Sequence, residues 1–380
     1  MDESMISLLC LVDLSKCFDV IDHKKLLLKL ELHGIDTKWF ENYLSGHTQS
    51  VCFSSSSHGN QTSSPRPIRQ GVFQGSSLGP LLFTIFANDL SLHADGAFVI
   101  QYADDTQVLV SGSKSNFPYV IARMEQALAS LDSYFRSCGL KVNESKFELL
   151  AIGSRQNLRG LPPFSVSFRD SLIHPCEQAR NLGLTFDRSL SWDLHVSRLS
   201  QMCFGILVGV SHLRHYLPPS TLTTIVSALV FSHVRYCLTV YGNGSAKNLQ
   251  TLQKILNFAA RIISGRKKFD HISDVREDLG WLDAKDLFIA QTLTVLHKVR
   301  RSGEPQSLAA QFCLNCDLPG RIRSTRQDGL LSLPRGRGSA AGKRRFSYRA
   351  ATMYNELPTE FRDMSVPAFK RALNQQLRLH

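Results

Sequence analysis

The chain has 380 residues, of which 43% are hydrophobic, so it is long enough for two or three domains with a large buried core. Lysine and arginine outnumber aspartate and glutamate by 44 to 32, and the net charge of +12 favours a polyanionic partner. The nine cysteines are odd in number and scattered in apolar surroundings, which excludes a secreted disulfide framework and indicates an intracellular protein, cytoplasmic or nuclear.

The first predicted element is the apolar run Met5–Val12, which ends at Asp13. This pattern is typical of a strand that is buried on both faces and delivers a carboxylate at its end. The run follows Asp2 and Glu3 rather than a basic segment, and it is too short to span a bilayer. We therefore expect neither a signal peptide nor a membrane helix.

Two helices and two short strands are predicted next. Asp22 is a favourable N-cap for the first helix, and the second helix covers Lys38–Leu44. Short strands are expected over residues 49–53 and 68–70. A glycine-dense loop over residues 69–80 then leads into an apolar helix. Such a loop lets a ligand approach the backbone closely, although an ordinary connecting loop is the simpler interpretation of this segment alone.

The stretch over residues 97–110 contains two apolar segments around Asp104 and Asp105. Its β-branched and aromatic residues favour strands, and the Asp-Asp pair favours a tight turn, so a hairpin is predicted. Two adjacent like charges repel each other unless a cation neutralises them, and Mg²⁺ prefers carboxylate oxygens. The hairpin tip is therefore a candidate metal site, with an exposed polar turn as the alternative.

The rest of the chain changes from mixed to helical. An amphipathic helix is predicted over residues 119–138, ended by Gly139, and a strand containing Lys146 is predicted over residues 140–152. Strands and helices together indicate an α+β domain with one sheet backed by helices. From Trp192 onward the apolar period is helical.

The segment over residues 317–345 is rich in glycine, proline and arginine. It holds eight basic and two acidic residues, which is half of the net charge of the chain. Concentrated positive charge in a loosely ordered arm suits contacts with backbone phosphates. A solvated linker explains the composition equally well.

Three carboxylates come from two separated strands, with the glycine-rich loop between them in the chain. A two-metal site needs carboxylates that converge from more than one element, and Asp13 and Asp104 could supply that convergence. Together with the basic charge, this arrangement suggests phosphoryl transfer on a nucleic acid.

Five segments occur in the order of the palm motifs of reverse transcriptases, and they most resemble the polymerases of jockey-type non-LTR retrotransposons. The segments cover residues 11–19, 69–80, 101–105, 139–146 and 181–184. The resemblance covers almost the whole chain. It implies a right-hand polymerase fold of the α+β class, in which an antiparallel palm sheet backed by helices is followed by a mostly helical thumb and C-terminal region. The domains that it implies are a palm over 1–190, a thumb-like helical region over 191–265, a helical connection over 266–316, a basic linker over 317–345 and a helical C-terminal segment over 346–380.

The resemblance also implies roles for the residues at matching positions. Asp13 and Asp104 would bind two Mg²⁺ ions, or Mn²⁺ in their place, and Asp105 would complete the acidic site. Phe18 would exclude a ribose 2′-hydroxyl, because a rigid ring against the sugar leaves no room for another oxygen. This position disfavours an RNA-templated RNA polymerase.

Three further positions are expected to contact substrates. Gln74 and Gly75 would line the template and the incoming nucleotide, and Lys146 would lie near the departing pyrophosphate. The alternative for Lys146 is a surface lysine on a strand.

The resemblance implies an RNA-directed DNA polymerase that uses an RNA template, a DNA primer or target, and dNTPs. Departures from the family pattern are Cys17, Phe73 and Phe147, where Ala, Pro and Thr are usual. We also expect the fingers and the upstream endonuclease of the family to be absent from this chain. The alternative is therefore a truncated relic that binds nucleic acid without polymerising.

Overall fold

A computed structural model describes residues 4–55, 59–317, 328–334 and 340–378. The chain divides into two compact units, and it passes from the first to the second between Gly183 and Leu184. Most of the basic segment predicted over residues 317–345 lies outside the described residues. In the described part of the chain, no helix is long and apolar enough to cross a membrane.

The first unit contains thirteen strands and five α-helices among its described residues. The strands are β1 (Met5–Val12), β2 (Leu14–Ser15), β3 (Thr48–Gln49), β4 (Cys52–Ser55), β5 (Gly59–Thr62), β6 (Arg66–Pro67), β7 (Phe98–Tyr102), β8 (Asp105–Ser113), β9 (Lys141–Val142), β10 (Glu148–Ile152), β11 (Val166–Phe168), β12 (Ser171–Ile173) and β13 (Gln178–Asn181). The helices are α1 (His23–Leu32), α2 (Lys38–Leu44), α3 (Gly79–Ala87), α4 (Phe117–Cys138) and α5 (Arg155–Leu158).

The central sheet has the strand order β10-β1-β8-β7, and each neighbouring pair is antiparallel. In β1, Ile6, Leu8 and Cys10 share one face of the sheet and are fully buried, whereas Ser7 and Leu11 on the other face are half-buried, so the predicted burial on both faces is only partial. Helix α4 contacts both β8 and β1, and its apolar face belongs to the same core. At Gly112 a Cβ atom would lie 2.5 Å from Val120 Cγ2, so this close approach of β8 to α4 requires glycine. The prediction of an α+β fold with an antiparallel sheet backed by helices is confirmed.

The single strand predicted over residues 140–152 is wrong. The chain forms the short strand β9, a 3₁₀ turn over Glu144–Lys146, and then the separate strand β10. The Asn143 N–H donates to the Asp13 carbonyl over 2.9 Å, and the Glu144 carboxylate accepts hydrogen bonds from Arg169 and Ser171. These tertiary bonds override the local strand pattern, so Lys146 lies in a turn and not inside a strand.

The strands predicted over residues 49–53 and 68–70 are replaced by two short antiparallel pairs. Strand β3 pairs with β6, and strand β4 pairs with β5. All four residues of β5 are exposed, and therefore they carry no apolar alternation from which the strand could be predicted.

The second unit is almost entirely helical in its described residues. After β14 (Leu184–Asp187) come α6 (Asp193–Leu213), α7 (Pro219–Val226), a π-helical segment (Ser227–Phe231), α8 (Ser232–Arg235), α9 (Leu238–Tyr241), α10 (Ala246–Ser264), α11 (Ser273–Asp278), α12 (Ala284–Ser302), α13 (Gln306–Ala309), α14 (Ala340–Lys343), α15 (Phe346–Asn355) and α16 (Val366–Arg378). One core packs α6, α7 and α10 together, and a second core packs α12, α15 and α16 together.

Candidate active site

The ends of β1 and β8 bring two of the predicted carboxylates to one edge of the sheet. In the antiparallel register, Leu11 is opposite Gln107 and Val12 is opposite Thr106. The next residue of each strand in this direction is Asp13 on one side and Asp105 on the other. The sheet therefore positions both side chains through its register and not through a flexible loop.

Asp104 lies at the tip of the hairpin between β7 and β8. Tyr102 pairs with Asp105, which leaves Ala103 and Asp104 as the two turn residues. Ala103 has a φ of 52°, a value that a two-residue hairpin turn requires. The Gln101 side-chain amide donates to the Ala103 carbonyl over 3.0 Å and holds the turn. The predicted hairpin is confirmed, but its turn lies one residue earlier than predicted, because Ala103 and Asp104 form the turn and Asp105 is the first residue of β8.

Lys146, which was predicted to contact the substrate, forms an ion pair with Asp13. Its Nζ lies 3.4 Å from Asp13 Oδ2, although 64% of the lysine side chain is exposed. Asp13, Asp105 and Lys146 also line one small cavity of about 110 Å³, together with Glu148 and residues of the segment 180–182. Asp104 does not line this cavity.

The environment of the Asp105 carboxylate disfavours its charged form. Partial burial raises the pKa of Asp105, and the negative charges of Asp104 and Asp13 raise it further. Burial and the nearby charge of Asp104 raise the pKa of Cys17 to about 12. Negative charge is therefore concentrated where the two strands end.

These carboxylates are the donor type that Mg²⁺ prefers, and a bound cation would neutralise the charges of Asp104 and Asp13, which add to the effect of burial on the pKa of Asp105. Within residues 4–55, 59–317, 328–334 and 340–378, however, no group of three or more His, Cys, Asp or Glu side chains is already arranged to hold a metal ion. The assignment of Asp13, Asp104 and Asp105 as metal ligands stays a prediction.

Backbone hydrogen bonds join the glycine-rich loop to the segment that follows β1. Val72 N–H donates to the Phe18 carbonyl over 2.7 Å, and Gly71 N–H donates to the Ile21 carbonyl over 2.8 Å. Gly71 has a φ of 89°, and a Cβ atom there would lie 2.7 Å from the carbonyl oxygen of Asp19. Only glycine allows this close approach of the two backbones.

The remaining predicted residues lie in the glycine-rich loop (Gln74 and Gly75) or in the segment hydrogen-bonded to it (Phe18), and none of them lines the small cavity. The Phe18 ring is half-buried and packs against Phe83 with centroids 4.7 Å apart. The Gln74 amide donates to Asp19 Oδ1 over 2.7 Å, and Gly75 is exposed with a φ of 79°. Their roles in substrate binding stay predictions.

Two contacts at this site were not predicted. Asp19 accepts a hydrogen bond from the Gln74 amide, and the charge of Asp104 acts on the Cys17 thiol. Both residues belong to the motif over residues 11–19, but the partners of their side chains depend on how the loop folds back. The only indication in the sequence was that Cys17 and Asp19 adjoin Phe18, in the same motif as Asp13.

Comparison with known proteins finds one family that matches the first unit. Residues 3–186 match the family described as "Reverse transcriptase (RNA-dependent DNA polymerase)". The matched segment is slightly less than half of the chain, and it confirms the resemblance to reverse transcriptases.

The relatives narrow the class to jockey-like reverse transcriptases of non-LTR retrotransposons. The chain is 26% identical over 275 residues to the RNA-directed DNA polymerase from mobile element jockey of Drosophila melanogaster, covering 69% of this chain and 29% of the relative. It is 25% identical over 310 residues to the probable RNA-directed DNA polymerase from transposon BS of the same species, covering 76% of this chain and 32% of the relative. The chain thus spans about three tenths of the length of these relatives.

Among solved structures, apo telomerase from Candida tropicalis overlaps with a TM-score of 0.33 and 11% identity. The overlap covers 82% of this chain and 53% of the telomerase chain. A TM-score of this size is too low for the overlap by itself to define the fold.

Proposed function

We propose that the chain is an RNA-directed DNA polymerase, which adds deoxynucleotides to a primer 3′-hydroxyl on an RNA template. The proposal is supported by the position of Asp13 and Asp105 at the adjoining ends of two neighbouring strands, with Asp104 in the turn next to Asp105, within the segment that matches the reverse transcriptase family. A net charge of +12 supports an RNA template and a DNA primer or target as partners.

The three carboxylates would hold two Mg²⁺ ions, and Mn²⁺ has the same preference for oxygen ligands. Bound divalent metal supplies charge neutralisation for the attacking hydroxyl and for the phosphoryl oxygens. The role of the protein would be to keep the carboxylates in place, and the register between β1 and β8 supports this role. Lys146 beside Asp13 would place a cation near the leaving pyrophosphate.

The incoming nucleotide would contact the glycine-rich loop, which is hydrogen-bonded to the backbone of Phe18. The Phe18 ring, supported from behind by Phe83, would lie against the sugar and exclude a 2′-hydroxyl. The bond to Asp19 orients the Gln74 amide, which leaves its oxygen as the acceptor available to template or nucleotide. Gly75 has open space where a side chain would be, which would allow a nucleotide to approach the backbone.

The test is primer extension on an RNA template with Mg²⁺ and dNTPs. The wild-type chain should extend the primer, and Asp104→Asn should lower the rate by about 10³-fold or more, because a charged metal ligand becomes neutral. Asp95→Asn is the matched control, since Asp95 is an exposed aspartate in the turn before the same hairpin, and its φ of 47° is one that asparagine tolerates. The control should keep the wild-type rate.

Two outcomes would contradict the proposal. Binding of the RNA-DNA duplex without extension by the wild-type chain would favour a nucleic-acid-binding relic. An unchanged rate for Asp104→Asn would mean that extension does not depend on these carboxylates.

A further inference from the structure

The hairpin formed by β11 and β12 is anchored on helix α4. Val166 is fully buried and Phe168 is 4% exposed, so one face of the hairpin belongs to the core of the first unit. Ser167 N–H donates to the Glu125 carboxylate of α4 over 2.7 Å. The turn residue Arg169 has a φ of 52° and is thereby presented at the tip of a fixed hairpin.

The Arg169 guanidinium bridges two carboxylates from different elements. Its Nε donates to Asp132 Oδ2 over 3.1 Å, and its Nη2 donates to Asp132 Oδ1. Its Nη1 donates to Glu144 Oε1 in the turn that contains Lys146. Asp132 lies within α4 and only 10% of its side chain is exposed, so this end of the bridge is rigid.

The turn over Glu144–Lys146 is held by this hairpin on both sides of Lys146. Ser171 donates to Glu144 Oε2 over 3.1 Å, which leaves each oxygen of that carboxylate with its own donor. On the other side, the Phe147 ring packs against Phe168 with centroids 5.1 Å apart. The backbone of Lys146 is therefore fixed at both ends, and only its side chain is free to move.

We propose that Arg169 is a positioning residue, which acts through Glu144 to hold Lys146 beside Asp13. The inference rests on the proposed polymerase function, in which Lys146 supplies a cation near the leaving pyrophosphate. Without the Arg169 bridge, the turn would lose its link to α4, and the lysine Nζ would no longer be kept 3.4 Å from Asp13 Oδ2.

If Arg169 had a purely structural role, its ion pair with Glu144 should contribute to the stability of the fold. Arg169 and Glu144 each have 28% of their side chain exposed, and a solvent-screened pair of this kind adds little to the stability of a fold. The link to the buried Asp132 would suffice to attach the hairpin. The second link, to Glu144, reaches only the turn with Lys146, so its effect is to fix that turn.

The experiment compares Arg169→Gln with Arg136→Gln in the full chain, alone and combined with Lys146→Ala. Arg136 Nε lies 3.0 Å from Asp132 Oδ2, so the control variant removes a cation from the same carboxylate without touching Glu144. Glutamine and arginine are equally strained at the φ of Arg169, so the substitution adds no backbone effect. Glu144→Gln is a second test, because it keeps the pair between Arg169 and Asp132.

Arg169→Gln should slow single-turnover primer extension by about ten- to a hundredfold at saturating dNTP, since a displacement of about 1 Å at a reacting centre has effects of this size. In the Lys146→Ala background it should cause no further loss, and Arg169→Lys, which keeps the charge, should recover part of the rate. Arg136→Gln should keep the wild-type rate. Equal losses in both backgrounds would overturn the proposal.

Amide hydrogen exchange separates this inference from the proposed function. Lys146 N–H donates to the Asn143 carbonyl over 3.1 Å, and Phe147 N–H donates to the Glu144 carbonyl over 3.2 Å. Both amides should exchange faster in Arg169→Gln and in Glu144→Gln than in Arg136→Gln. Unchanged exchange would overturn the positioning role even if the wild-type chain polymerises. Faster exchange in a chain that does not extend primers would support the mechanical link and reject the polymerase function.

Discussion

In the first unit, Asp13, Asp104 and Asp105 gather at strand ends, where each carboxylate adds negative charge to the site. In the second unit, two half-buried or buried polar side chains, Asp187 and His297, are surrounded by hydrogen-bond partners. Asp187 accepts hydrogen bonds from the backbone N–H groups of residues 189, 191 and 192 and from two serine hydroxyls. His297 is fully buried and both of its ring nitrogens have partners.

This difference separates polar groups that stabilise the fold from polar groups that do not. Burial alone would raise the pKa of Asp187, but the hydrogen bonds from Ser191, Ser189 and Trp192 reverse the effect and lower it. The pKa of Asp105 is raised by burial and by its acidic neighbours. Ionised Asp187 therefore favours the folded state, whereas ionised Asp105 opposes it, which is the arrangement expected of a site kept for function.

The largest effect on stability is expected for His297→Ala. The imidazole lies flat against Phe369, with centroids 4.0 Å apart, and its Nε2 donates to the Met364 carbonyl while its Nδ1 accepts from the Tyr354 hydroxyl. The variant leaves a cavity and removes a hydrogen-bond partner from the Tyr354 hydroxyl and from the Met364 carbonyl, so we expect a loss of about 3–5 kcal/mol in the free energy of unfolding. Urea denaturation of the full chain measures it.

The matched control is His212→Ala, because His212 is exposed on α6 of the same unit. It should change the free energy of unfolding by less than about 0.5 kcal/mol. A loss below about 1 kcal/mol for His297→Ala would show that its bonds do not stabilise the second unit.

A smaller effect, about 2 kcal/mol at pH 7, is expected for Asp187→Ala, because several hydrogen bonds to a charged carboxylate are lost. The folded state lowers the pKa of Asp187. Its stabilisation is therefore complete above the ordinary value of about 3.9 and disappears as pH falls through the lower folded value. Chemical denaturation between pH 7 and pH 3 should show the two proteins converging at low pH.

Asp193→Ala is the control for this measurement, since Asp193 is exposed in the first turn of α6. A carboxylate in that position gains only about 0.3–1 kcal/mol from the helix dipole. If the loss for Asp187→Ala were as small as that of the control, or did not depend on pH, the hydrogen bonds around Asp187 would not favour its charged form.

Local patterns were sufficient for the elements that carry most of the fold. The buried run Met5–Val12, the hairpin around Asp104 and the helix Lys38–Leu44 form as predicted, because each has a complete apolar pattern or a clear turn signal. Asp22 caps α1 by accepting from Lys25 N–H over 3.1 Å, as its position predicted. These features depend on neighbours in the chain.

Features that depend on distant partners could not be predicted in this way. The turn around Lys146 is joined through Glu144 to Arg169, which lies 25 positions away in the chain. The contact between Lys146 and Asp13 follows from that turn, and a strand through Lys146 would not have indicated it. The π-helical segment Ser227–Phe231 likewise has an apolar pattern compatible with an ordinary α-helix.

The smallest effect, opposite in sign to that of Asp187→Ala, is expected for Asp105→Asn. Because the pKa of Asp105 is raised in the folded state, the unfolded chain releases its proton first, and the wild type loses stability as pH rises from about 3.9 to the folded value. The variant avoids that loss, so it should be more stable at pH 7 and equal to the wild type at low pH. Since the side chain is exposed and screened by solvent, the gain should not exceed about 0.5 kcal/mol.

Mg²⁺ should make the wild type more stable than Asp105→Asn at pH 7, because a cation that binds the three carboxylates stabilises the wild type more than the variant. At a Mg²⁺ concentration ten times the dissociation constant, the wild type should gain about 1.4 kcal/mol. Denaturation at pH 7 with and without Mg²⁺ measures both effects, and Asp95→Asn, away from the site, should respond as the wild type does. If Asp105→Asn were destabilising without Mg²⁺, and Mg²⁺ changed neither protein, the strand-end carboxylates would be ordinary surface charges, and the contrast between the two units would disappear.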